Sequence, residues 1–64
     1  MINYTDMART VNTFANDCAA SDNGMALVAT FTIADLAAIF EANDVASESE
    51  ALVWAMNYAR DHRA

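Results

Sequence analysis

The sequence predicts a mostly α fold: a single small domain, 1–64, of three helices at about 5–20, 33–42 and 47–62, with a short strand or extended segment at 25–32. Three observations carry that expectation. Apolar residues recur at helical spacing within the helical stretches. Two of those stretches open on a hydroxyl side chain followed three positions later by an acid, the order that caps a helix start. Between the first two helices lies a run of β-branched and aromatic residues, which favour extended backbone.

In the first helix, Met7, Val11, Phe14, Ala15 and Cys18 fall on one stripe. Asn3 or Thr5 caps its start, and Asp6 sits in the first turn, where the helix dipole favours an anion and Arg9 is three residues away. Ser21-Asp22-Asn23-Gly24 supplies turn chemistry and holds the only glycine. From Met25 the residues divide. Met, Ala and Leu favour helix, whereas Val28, Thr30, Phe31, Thr32 and Ile33 favour strand, and the balance leans to strand.

Thr32 and Asp35 then open the second helix, with Ile33, Leu36, Ile39 and Phe40 at helical spacing. Asn43-Asp44 breaks the pattern. Ser47 and Glu50 form a capping box for the third helix, and Arg60, His62 and Arg63 complement the dipole at its end. The run Ala51 to Met56 is apolar on every side. Leu52, Met56 and Ala59 make one face and Trp54, Tyr58 and Ala51 another, so a three-helix core covers one and leaves the other for a partner.

Composition narrows the function classes. A domain of 64 residues buries only about 60% of its unfolded surface and usually needs a supplement. The single cysteine, Cys18, excludes an internal disulfide, so the expected supplement is a second subunit, a homodimer. Nine acidic residues against Arg9, Arg60 and Arg63 give a net charge of −6. That charge disfavours nucleic acid and suits a protein partner with a basic surface. The Met1 to Asp6 start lacks a secretory pattern, and no apolar run is long enough for a bilayer, so a cytoplasmic address and no membrane contact are expected.

No catalytic constellation stands out, and neither a cofactor nor a metal is expected. Cys18 lies on an apolar stripe and His62 in a final turn, which suits packing better than a nucleophile and its base. Glu41, Asp44 and Glu48 lack the alternating oxygen ligands of a calcium loop. Asp6, Asp35, Glu48 and Glu50 lie at helix starts, where the dipole accounts for them. Asp17, Asp22, Glu41 and Asp44 lie near helix ends, with no basic residue close in sequence to offset the dipole. Those four are the candidate negative surface for a partner, with Trp54 and Tyr58 as its apolar anchors.

A lone strand cannot persist unpaired, which points to pairing with its copy in a dimer. Ala29-Thr30-Phe31-Thr32-Ile33, then a helix, then Val45-Ala46-Ser47-Glu48-Ser49-Glu50-Ala51-Leu52, resembles the ribbon-helix-helix family of dimeric DNA-binding repressors over roughly residues 28 to 62. The resemblance implies Thr30 and Thr32 facing bases, Phe31 and Ile33 facing the core, and Arg9, Arg60 and Arg63 on phosphates. In size and charge the chain also resembles small phage proteins that inhibit host nucleic-acid-binding machinery. The leading expectation is an acidic protein-interaction module that binds and modulates another macromolecule, with inhibition as the expected mode. A ribbon-helix-helix regulator or antitoxin, and a structural subunit of a larger assembly, are the alternatives.

Overall fold

A computed structural model describes residues 2–63. Four helices follow in order, α1 (Tyr4–Cys18), α2 (Asn23–Val28), α3 (Ile33–Ala42) and α4 (Glu48–His62), with no strand among the described residues. α1 packs on the other three, and α2 packs on α4. The mostly helical expectation holds, with one more helix than the sequence suggested.

Asn3 caps α1, its side-chain oxygen accepting the Asp6 N–H at 3.1 Å. Met7, Ala8, Val11 and Ala15 form its buried stripe, while Phe14 and Cys18 on the same side are half-buried.

The strand or extended segment expected at 25–32 is instead α2 and a turn. Asp22 caps this helix by accepting the N–H groups of Gly24 at 2.9 Å and Met25 at 3.2 Å. The following donors are also met locally. Ala26 N–H reaches Asp22 O, Ala29 reaches Met25 O, Thr30 reaches Leu27 O, Phe31 reaches Val28 O, and Thr32 reaches the Asp35 carboxylate. A strand here would leave those donors without a ladder, so local bonding overrides the β preference of the side chains.

Gly24 corrects a second expectation. It lies inside α2, buried, and does not have a positive φ. A Cβ at this position would sit 2.7 Å from the Ala59 carbonyl carbon and 2.8 Å from its Cα, and would collide with the carbonyl oxygen. The glycine is therefore required by close approach of α2 to α4, rather than by a turn.

The capping box of α3 forms as expected: Asp35 N–H donates to Thr32 Oγ1 at 3.0 Å, and Thr32 N–H to Asp35 Oδ2 at 3.3 Å. The helix ends in a left-handed residue, Asp44, at φ 52°. Val45 N–H reaches Phe40 O at 3.0 Å and Asp44 N–H reaches Glu41 O at 3.2 Å, a Schellman ending. Phe40 and Val45 are both buried, as that motif's apolar contact requires.

At the start of α4, Ser47 Oγ accepts the Glu50 N–H at 3.3 Å. Glu50 reaches back one residue further than the box predicts, accepting the Ala46 N–H at 2.8 Å. Ala51, Ala55 and Ala59 are fully buried, a small-residue stripe that lets neighbouring backbones come close. The bulky residues flank it. Trp54 and Tyr58 are half-buried on one side and Leu52 is half-buried as well, while Val53 and Met56 are 49% and 47% exposed. The two-face expectation for this helix is corrected accordingly. Phe31 and Phe40 engage the aromatic face, and the exposed large apolar residues of the helix are Val53 and Met56.

Candidate functional site

The six residues predicted for a partner surface fall into three places. Trp54 and Tyr58 belong to an aromatic column along α4. Trp54 stacks on Tyr58 with ring centroids 5.3 Å apart, and Tyr58 stacks on His62 at 4.0 Å. Phe31 meets Trp54 and Tyr58 edge-on at 6.1 and 5.4 Å, and Phe40 meets Trp54 edge-on at 5.4 Å. Contacts of this kind add to the area they bury, so both side chains have a packing role whatever their exposed edges touch.

Asp17 and Asp22 lie at the α1–α2 corner. Asp17 is exposed in the last turn of α1, which holds no basic residue. Asp22 differs from its expectation, because it starts a helix and has a cation. Arg63 donates to it through Nε at 3.2 Å and through a terminal nitrogen at 2.8 Å, 41 residues away in sequence. The Arg63 hydrogen bonds hold the Asp22 carboxyl below its ordinary value, helped by the Met25 and Gly24 amides against the opposing effect of desolvation.

Glu41 and Asp44 lie at the α3–α4 corner, both exposed, and neither is in an ion pair among the described residues. Here the dipole argument stands. The last turn of α3 has no basic residue, so its negative end faces two further negative charges. Asp44 is disfavoured twice, since its left-handed backbone also suits glycine better than a side chain.

Glu41 also borders a groove of about 690 Å³ between the start of α1 and the outer side of α3. Ile2, Tyr4, Ala34, Ala37 and Ala38 supply its apolar lining, with Asn3 and Thr5 at the polar margin. Sequence reasoning missed this groove, because it forms between segments thirty residues apart and only the run of alanines in α3 hinted that a surface there was shallow. A second groove of about 430 Å³ runs between α1, α2 and α4. Phe14, Cys18, Met25 and Met56 line it, with Asp22, Asn57, Arg60 and Arg63 around them.

No family model, curated protein or solved structure matches this chain. Cys18 lines the second groove, while His62 stacks on Tyr58 with Nδ1 2.9 Å from the Tyr58 carbonyl oxygen. Among the described residues, no three His, Cys, Asp or Glu side chains gather as a metal site. No helix among them is long and apolar enough to cross a membrane.

Proposed function

We propose that this protein is a small acidic interaction module, acting as a homodimer, that binds another macromolecule with a basic surface and inhibits it by occupying that surface. Asp44 is the observation that carries the reading. An acid in a left-handed position at a helix C-terminus is disfavoured by about 1 kcal/mol from backbone strain and by up to about 1 kcal/mol from the dipole. The Schellman ending needs a residue that tolerates the left-handed backbone, but glycine or asparagine would meet that need without the dipole cost, whereas a partner's lysines or arginines favour the charge.

Glu41 borders the α1–α3 groove and Asp44 lies three residues on at the same corner, so the fitting partner segment presents an apolar side chain to Ile2 and Ala38 and cations to the two carboxylates. Inhibition follows from charge. A basic surface masked by carboxylates is closed to the polyanion it would otherwise bind.

The test is a pull-down with tagged protein from native lysate, with and without nuclease, in parallel with Glu41→Gln and Asp44→Asn. Both substitutions remove charge while keeping shape, and asparagine tolerates the left-handed backbone. A protein captured by the wild type despite nuclease, and lost from the double variant, supports the reading. Recovery of DNA, or of proteins only through DNA, would favour a dimeric regulator instead.

A further inference from the structure

We infer that two copies of this chain pair through the outer face of α4, with the two helices antiparallel about a two-fold axis; this gives the homodimer of the preceding section a specific interface. Ser49, Val53, Met56 and Arg60 recur at spacings of four, three and four and are all exposed. That alternation is the seam along which one helix packs on another. Its two central members, Val53 and Met56, are large apolar side chains left half in water.

Charge selects both the occupant and its direction. Two chains of net charge −6 repel over most of their surfaces. Two of the three arginines, Arg60 and Arg63, lie at the end of α4, while Glu48 and Glu50 lie at its start. Antiparallel pairing centred between Val53 and Met56 brings Arg60 toward Glu50 of the other copy, while Glu48 is turned to α1, where Thr10 Oγ1 donates to it at 2.7 Å. At 1.5 Å per residue, Arg60 lies about 8 Å from the centre and Glu50 of the other copy about 7 Å from it on the same side. A parallel pair would set Arg60 on Arg60 and Glu50 on Glu50. The antiparallel pair is isologous, so it closes at two subunits.

Arg60 is available for this role. Its one ion pair among the described residues is an exposed contact to the adjacent Asp61 at 3.3 Å. Arg63 is already held by Asp22 and contributes less. Met56 also borders the second groove, so the apolar contact continues from the seam toward Phe14. The strip spans about three turns and buries less than a standard interface of roughly 1,600 Å², so the dimer is weak and depends on concentration.

Sedimentation velocity of the purified chain from about 1 µM to about 1 mM covers the range of such weak dimers. The expected result is a reversible monomer–dimer equilibrium. Val53→Asp and Arg60→Glu should each weaken it by about tenfold or more, the effect of losing one buried contact or charge pair. Arg9→Glu makes the same change in net charge on α1 and should alter it by less than about twofold. Val53, Arg60 and Arg9 are exposed, and helical circular dichroism checks each variant's fold. A wild-type chain that stays monomeric throughout overturns the seam and leaves the groove reading standing. Equal weakening by Arg60→Glu and Arg9→Glu overturns it as well. A dimer broken by Ile2→Asp but unchanged by Val53→Asp places the second copy in the α1–α3 groove, against both readings.

Discussion

The two corners of the molecule use their acids in opposite ways. At the α1–α2 corner, Asp22 caps α2, accepts two backbone amides and binds Arg63, so its charge is explained within the fold. At the α3–α4 corner, Asp44 sits where backbone geometry and dipole both oppose it, and Glu41 beside it is in no ion pair among the described residues. Both looked alike as acids near helix ends. The difference shows that position along a helix is insufficient to mark a functional charge, because a partner far along the chain can absorb it.

The largest loss is expected in the aromatic column that packs the α3–α4 corner. Trp54→Ala removes the edge contact to Phe40, the residue that anchors the end of α3, together with the Phe31 and Tyr58 contacts. It should lower stability by about 3 kcal/mol in urea unfolding, the low end for a tryptophan because the side chain is half-buried. A loss below about 1 kcal/mol would instead release Trp54 for the anchor role expected from sequence.

Gly24→Ala tests the other corner. Helix propensity alone would make this a gain of about 1 kcal/mol. The added methyl meets Ala59 backbone, which cannot rotate aside, so a net loss of about 2 kcal/mol is expected, read as a lower urea midpoint. A gain would mean that α2 and α4 do not approach this closely.

A smaller effect follows from Asp22 and acid. Its carboxyl titrates lower in the folded chain than in the unfolded one, so its contribution is complete above the ordinary value of 3.8 and fades as pH falls through the folded value beneath that. Asp22→Asn should therefore lower Tm at neutral pH and flatten the loss of stability below about pH 4. Parallel Tm curves for variant and wild type through that range would remove the Arg63 pair from the account.

What the sequence made legible was whatever is encoded within four residues. Asn3, Thr32 and Ser47 mark three helix starts, and each makes its capping bond. α2 was obscured because Val28, Thr30, Phe31 and Ile33 argue for a strand side chain by side chain, while the Asp22 cap resembles a turn. The purpose of Gly24 depends on Ala59, and the state of Asp22 on Arg63, contacts that no local pattern contains. Of the candidate surface, Glu41 and Asp44 were legible through the dipole because no cation among the described residues pairs with them. The groove beside Glu41 was not, since it needs α1 and α3 brought side by side.

The smallest expected change tests most directly whether the negative charge at position 44 serves a partner rather than the helix end it sits on. Thermal unfolding and lysate capture should be measured together for Asp44→Gly. The account predicts a protein more stable by about 0.5–1 kcal/mol, through relief of the left-handed strain and the dipole, that captures less partner. Unchanged capture by the stabilised variant would contradict it.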